Sequence, residues 1–306
     1  MSLPAFVEHD VPISRLTTVG TGGPARYFAR PSDVAQLREL LQWREDERLQ
    51  MAVIGLGSNL LAADEGFDGL IMRLVGDLAA IERDGDRVHC GGGASLAAVV
   101  KRSAEWGLAG IEFGSAIPGT VGGAVRMNAG AYEGELRDVL DRVLVVRADG
   151  EREGGPDDLV MTYRHSNVAA HEVVARATVR LQAAEPAEIK ATVRDMQRRR
   201  REAQPAGVRT FGSVWKNPDP QMTAGRLLER CGLKGFTIGG ARISPVHANF
   251  IENVDGAARS ADVIALMAEA RRRARDEFGV ELRHEVQMLG PIALPDDGHI
   301  AQHHSP

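Results

Sequence analysis

Apolar positions along the chain switch between a helical and an alternating period, and the switches mark out its elements. Between Val34 and Leu49, the residues Val34, Leu37, Leu40 and Leu41 share one helical face, and Ser32 or Asp33 is placed to cap it. Short apolar runs at Met51–Gly55 and Leu70–Leu74 read as strands, the first entering the turn Gly55-Leu56-Gly57-Ser58-Asn59. Arg83-Asp84-Gly85-Asp86-Arg87 reads as a hairpin turn, and Ser95 as the cap of a helix from Leu96 to Trp106 that Gly107 ends. Alternation returns at Asp141–Ala148, closing at Asp149-Gly150, and at Val173–Gln182. A charged helix then runs from about Pro186 to Gln204-Pro205. A short one spans Ala224–Cys231 before Gly232, and a long one Ala261–Phe278, capped by Ser260 and stopped by Gly279.

These changes of period predict an α+β chain with lobes at 1–75, 76–185 and 186–290 and a polar, disordered tail at 291–306. A length of 306 residues with 43% hydrophobic content suits two or three packed lobes rather than one small core. The formal charge of -5 gives no global field to recruit nucleic acid or a membrane surface, so partners must be read from local sites. Cys90 and Cys231 are too few for a disulfide framework. No run approaches the roughly 18 apolar residues of a spanning helix, and the residues after Met1 lack a signal-peptide pattern. The cytoplasm is the expected address.

Four segments carry candidate chemistry. Gly55–Asn59 either makes a plain turn or lets backbone N–H groups approach a diphosphate, with Ser58 and Asn59 as added donors. Gly114-Ser115-Ala116-Ile117-Pro118-Gly119-Thr120-Val121-Gly122-Gly123-Ala124, running into Met127-Asn128-Ala129-Gly130-Ala131-Tyr132, has few side chains for a core and reads as backbone wrapped around a large ligand, with a flexible linker as the plain alternative that Ile117, Val121 and Val125 disfavour. It has neither the G-x-G-x-x-G fingerprint nor a P-loop lysine. Gly212-Ser213-Val214-Trp215-Lys216-Asn217 joins a hydroxyl to a cation and an amide, and no histidine lies nearby in sequence to make Ser213 a nucleophile, which favours a proton donor. Arg164 and Glu285 are charges in apolar settings, each readable as a surface ion-pair residue or as part of a site.

In sequence order, TTVGTGG at 17–23, GLGSNLL, IPGTVGGA, MNAGAY, YRHS, GSVWKNP, AGRLLERCGLKG, GGARIS, HANFIEN and HEVQMLG resemble the UDP-N-acetylenolpyruvoylglucosamine reductases over nearly the whole chain. The resemblance implies a vanillyl-alcohol-oxidase-type FAD-binding fold of two α/β subdomains with a C-terminal α/β substrate domain. It implies noncovalent FAD, NADPH as electron donor, and a UDP-N-acetylglucosamine enolpyruvyl ether as substrate, in peptidoglycan precursor synthesis. Gly55, Leu56, Gly57, Ser58 and Asn59, with Ile117, Pro118, Gly119, Thr120, Gly122, Gly123 and Asn128, would hold FAD. Arg164 and Glu285 would polarise the substrate carboxylate and stabilise the enolate, and Ser213 would donate the proton. Tyr132, Lys216, Asn217 and Asn249 match substrate-binding positions.

The pattern departs from that family in three places. Trp215 stands where phenylalanine is usual, Glu133 follows Tyr132 where glycine is usual, and Asn167–Gly212 contains no tyrosine, which resembles the shorter branch without the inserted tyrosine loop. The runs Arg198–Arg201 and Arg271–Arg275 read as solvated helix faces, Cys90 as a small buried hydrophobe, and His303-His304 as no metal site for want of partners. Two rivals make different demands. A flavin oxidase of the same fold would use O2 and ignore UDP-sugars, and a non-catalytic sensor would have no use for Arg164, Ser213 and Glu285 together.

Overall fold

The computed structural model of the chain describes residues 2–219 and 221–295, which divide into two compact units. The first is Met1–Val11, Ala25–Gly57 and Asp68–Glu202, and the second is Pro12–Pro24, Ser58–Phe67 and Ala203–Pro306. The first unit thus takes the expected 76–185 lobe, most of 1–75 and the charged helix expected to open the third, whereas 12–24 and 58–67 of the expected first lobe belong to the second unit. Of the tail expected from residue 291, Leu294 is buried in the second unit's core, and 296–306 lie outside the described residues.

The first unit has two sheets. Val7–Pro12, Pro24–Ala29, Phe67–Met72 and Gln50–Val53 form one in that order, the last pair parallel. Gly150–Gly154, Leu140–Arg147, Val173–Arg180, Arg87–Gly91 and Ile81–Asp84 form the other, antiparallel throughout. Strand periodicity gives the second sheet two apolar faces. Val143 and Val145 enter one core with Val88, Cys90 and Val125, whereas Leu144 and Val146 face the other with Leu37, Leu40 and Leu41.

The latter three leucines come from α1, Val34–Asp46, whose first turn is capped by the Asp33 carboxylate accepting from Gln36 N–H at 2.9 Å. Burying each leucine stabilises the docked helix by about 1.5–3 kcal/mol. Helix α2, Leu96–Glu105, starts on Ser95, whose hydroxyl accepts from Ala98 N–H at 3.2 Å. Helix α3 is Val121–Met127, and α4 is Pro186–Ala203.

In the second unit, Arg209–Thr210, Ile251–Asn253, Ala241–Ile243 and Thr237–Ile238 form an antiparallel sheet in that order, and Leu60–Ala62 runs parallel to Gln287–Leu289. Helices α5, Ala224–Arg230, and α6, Ser260–Phe278, bury Leu227, Leu228, Val263, Leu266 and Met267 in a core shared with Val19, Leu61 and Trp215.

The expected cap of α6 is corrected. Ser260 is its first helical residue, and the Asp64 carboxylate accepts from the N–H groups of Ser260 and Ala261 at 2.9 and 3.2 Å. Asp262 reaches back to Arg259 N–H at 3.0 Å. A helix N-terminus needs acceptors, and these come from a carboxylate far away in sequence as well as from its own first turn.

Candidate functional site

The glycine and alanine segment is not bare loop. Glu112–Ala116 makes a 3-10 turn, and Val121–Met127 is helical because Val121, Ala124 and Val125 are buried in a core that holds them in register. Its glycines divide by cause. A Cβ on Gly122 would sit 3.0 Å from the Gly92 carbonyl oxygen, which accepts from Gly122 N–H at 2.7 Å, so packing requires that glycine. A Cβ on Gly55 would lie 2.4 Å from Thr120 Oγ1, so this turn rests on the cap residue of α3.

Gly119 and Gly123 are otherwise. An added Cβ would meet nothing nearer than 4.0 and 3.7 Å, and neither glycine has a positive φ. Neither packing nor conformation asks for glycine there, whereas close approach by a ligand does. Ser115 Oγ, earlier in the same segment, is buried with no hydrogen-bond partner among the described residues. Open glycines and an orphaned hydroxyl suit a large polar cofactor such as FAD.

Beyond α3 the chain stays close to itself. Asn128 ends the helix at φ 38, fully buried, and its amide is shared out: Nδ2 donates to Thr162 O at 3.1 Å and Oδ1 accepts from Arg137 N–H at 3.0 Å. Thr162 and His165 exchange backbone hydrogen bonds at 3.0 and 3.1 Å, closing a turn with Arg164 at φ 53. The Arg164 guanidinium donates to Gly130 O at 2.7 Å and lies 5.0 Å over the Tyr163 ring. It is thus fixed in direction by a carbonyl, a ring and a left-handed backbone.

Gly130–Ala131 and Gly134–Glu135 pair around Tyr132 and Glu133, at φ 49 and 67. Two successive positive φ values are those of a type I′ turn, which explains why glycine is the more usual residue at the second position. The Tyr132 hydroxyl donates to Met196 O of α4 at 3.0 Å. Among the first unit's candidates, the structure therefore brings together Gly55 with Thr120, and Asn128 with the Arg164 turn.

The second unit holds Ser58, Asn59, Ser213, Lys216, Asn217, Asn249 and Glu285. The Ser213 segment is flanked by buried Phe211, Val214 and Trp215, with Ser213 itself half-buried. Gly212 N–H donates to Ser58 O at 2.8 Å, Glu285 N–H to Val214 O at 2.8 Å, and Asn59 Nδ2 to Glu285 O at 3.2 Å. Ser58, Asn59, Ser213 and Glu285 thus belong to one backbone network. Lys216 joins it through its N–H to Arg283 O at 2.9 Å.

Asn249 is buried, and its amide closes on Trp215 in both directions, each at 2.9 Å. Its visible work is to fix Trp215 in the Ser213 segment rather than to offer a free amide. Asn217 Oδ1 accepts from Ala224 N–H at 3.1 Å at the start of α5. His247 accepts from Asn249 N–H through Nδ1 at 3.1 Å, and burial holds the ring below the ordinary histidine pKa. When neutral it therefore carries its proton on Nε2.

Two arginines read as parts of solvated faces are corrected: Arg271 of α6 is buried, ion-paired with Glu281 and 5.6 Å over the Trp215 ring, and Arg200 is the other. Arg200 is half-buried and donates to the Ala116 carbonyl. The signal was its phase: Ile189, Val193, Met196 and Arg200 follow steps of four, three and four, the stripe by which α4 packs, with Ile189 buried. Cys90 agrees with expectation, buried with its thiol pushed up to about 12 by desolvation. His303-His304 lies outside the described residues, among which no cluster able to hold a metal occurs.

Comparison with known proteins covers both units. Residues 204–289 match the model of the UDP-N-acetylenolpyruvoylglucosamine reductase C-terminal domain, and 25–153 match an FAD binding domain. The chain is 42% identical over 301 residues to the UDP-N-acetylenolpyruvoylglucosamine reductase of Anaeromyxobacter dehalogenans strain 2CP-C, covering 96% of this chain and 91% of that one. It is 40% identical to reductase 2 of Symbiobacterium thermophilum, covering 94% and 93%. The crystal structure of the Thermus caldophilus UDP-N-acetylenolpyruvylglucosamine reductase matches with a TM-score of 0.81 at 34% identity, covering 93% of this chain and 99% of that one.

Proposed function

Because the chain belongs to the UDP-N-acetylenolpyruvoylglucosamine reductase family, we infer that it is an FAD-dependent oxidoreductase. It reduces the enolpyruvyl ether of UDP-N-acetylglucosamine to UDP-N-acetylmuramate with NADPH, in peptidoglycan precursor synthesis. FAD, held by the residues named below, would supply the hydride drawn from NADPH that adds to C3 of the enolpyruvyl group. The double bond is then replaced by a C–H bond at C3 and, after protonation, another at C2. FAD binding falls to the Gly55–Asn59 turn and the Ile117–Gly123 segment, with Ser115 as a further donor and Asn128 holding the end of α3.

The remaining chemistry is assigned to the protein's own side chains. Charge that develops on the substrate spreads into its C1 carboxylate, where a fixed cation with two donors gives the most stabilisation. Arg164 takes that role. Its presentation is the observation that carries the reading, because a left-handed arginine held by Gly130 O and the Tyr163 ring is a strained arrangement of the kind retained at functional sites. Ser213 donates the proton to C2. Glu285 assists as a protonated donor or by orienting another one, and Tyr132, Lys216 and Asn217 bind the UDP-sugar, with Asn249 holding Trp215 in place.

The cytoplasm is the proposed compartment, where nucleotide sugars and NADPH are found; both cysteines are free, which suits a reducing setting. Among the described residues no helix is long and apolar enough to cross a membrane. The test is to purify the protein, release and identify its flavin, and follow anaerobic NADPH oxidation with the enolpyruvyl UDP-sugar. Yellow protein containing FAD and stoichiometric formation of the lactyl ether are expected. Turnover that needs O2 and ignores the UDP-sugar would instead establish the oxidase alternative.

A further inference from the structure

Four consecutive arginines, Arg198–Arg201, lie near the end of α4. Arg198 pairs with Asp195 at 2.6 Å and Glu202 at 2.9 Å, and Arg199 with Asp195 at 2.7 Å, all on the exposed side of their own helix. Arg200 is turned the other way, on the packing stripe. It donates through one terminal nitrogen to the Ala116 carbonyl, and among the described residues it has no ion pair and no second hydrogen-bond acceptor. Tyr132, whose hydroxyl is bound to Met196 one turn earlier, is its polar neighbour.

A guanidinium drawn out of water needs a counter-charge. Burial accordingly holds Arg200 below the ordinary arginine pKa, and nearby Tyr132 only partly opposes this. Arg200 reaches the segment that contains Ala116, orphaned Ser115 Oγ and the open Gly119. Among the described residues no carboxylate answers it. A bound anion would, and a planar fork with N–H groups to spare matches phosphate oxygens better than a single carbonyl does.

We propose that Arg200 binds a phosphate group of a nucleotide ligand, supplied by the diphosphate of FAD or by that of the UDP-sugar. The proposal rests on the reading of the Ala116 segment and Tyr132 given above and adds to it a cation that no tyrosine loop has to provide.

Arg200→Met keeps the length of the side chain and removes its charge, and Arg200→Lys keeps the charge without the fork. Two affinities are measured for each variant and the wild type: FAD binding to the flavin-stripped protein by calorimetry, and the KM for the enolpyruvyl UDP-sugar in the FAD-saturated enzyme. Arg200→Met should weaken one of them at least tenfold, with partial recovery in Arg200→Lys. A loss in FAD affinity assigns the cofactor diphosphate, and a raised KM with kcat nearly kept assigns the UDP-sugar.

Both affinities within twofold of wild type in Arg200→Met would overturn the proposal. So would a fall in thermal stability with equal small losses in both affinities that lysine does not restore, because that marks Arg200 as a brace for Ala116. A wild-type protein that binds FAD but does not reduce the enolpyruvyl UDP-sugar would refute the proposed function while leaving the FAD measurement valid.

Discussion

Replacing Asn128 tests whether the turn that presents Arg164 depends on one buried amide. Its Nδ2 donates to Thr162 O and its Oδ1 accepts from Arg137 N–H, with no exposure to solvent. In Asn128→Ala both partners lose a buried hydrogen bond, at about 1–2 kcal/mol each. Alanine at φ 38 adds roughly 1 kcal/mol, because asparagine tolerates the left-handed region better. The sum is about 3–5 kcal/mol, which for a unit of this size lowers the melting temperature by about 6–20 °C.

Asn128→Gly removes the same hydrogen bonds without the backbone cost and should melt a few degrees above the alanine variant. Circular dichroism on the FAD-saturated proteins reads the shift. Single-turnover oxidation of the reduced flavin by the enolpyruvyl UDP-sugar should slow at least tenfold, since Thr162 closes the turn that contains Arg164. A melting temperature within about 3 °C of wild type, with unchanged turnover, would show that Asn128 does not hold this turn.

Four further outcomes are expected. Arg164→Lys keeps the charge but loses the fork, so the enolpyruvyl half-reaction should slow by tenfold or more while NADPH still reduces the flavin normally; equal slowing of both halves would point to misfolding. Ser213→Ala should slow flavin reoxidation by the substrate by roughly 10²–10⁴-fold with the reductive half unaffected, and a wild-type rate would remove Ser213 from the mechanism. Glu133→Gly should raise the melting temperature by a few degrees, since relief of a left-handed glutamate at φ 67 outweighs the added chain entropy by about 0.5–1 kcal/mol; a lower value would refute the strain. The Arg152 hydrogen bonds hold the Glu172 carboxyl below its usual pKa, so this stabilisation is present above the ordinary carboxylate value and is lost as pH falls through the lowered one. Urea unfolding from pH 5 to 3 should accordingly show a steeper loss for wild type than for Glu172→Gln.

Local signals were legible, and distant ones were not. Asp33 and Ser95 cap their helices as read because the acceptor and the N–H lie within three residues. Gly107, Gly232 and Gly279 take the left-handed values that end helices. The α6 cap was missed because its acceptor is Asp64, 196 positions away. Helix α3 was hidden by Gly122 and Gly123, whose poor propensity is overridden by burial of Val121, Ala124 and Val125.

The candidate residues were found by motif, but their arrangement was not. Nothing in the sequence announces that Asn249 spends its amide on Trp215, or that Asn128 braces the Arg164 turn. Arg200 was visible only to helical phase, and the charge of its neighbours concealed it.

The second unit has a consequence for how the protein is made. Its C-terminal elements are completed by two early segments: Leu60–Ala62 pairs with Gln287–Leu289, and Asn59 binds Glu285 O across 226 positions. During synthesis those early segments leave the ribosome roughly 10–45 s before their partners exist, at ordinary elongation rates. Over that interval Leu61 and Val19, buried in the finished core, have no native partners to cover them. A fragment beginning at residue 204, where the C-terminal domain match starts, would lack the strand beside Gln287–Leu289 and the Asp64 cap altogether. Vectorial synthesis therefore exposes this protein to chaperone capture and aggregation at its N-terminal end, and circular permutants that bring residues 12–67 next to the C-terminal half would shorten that window.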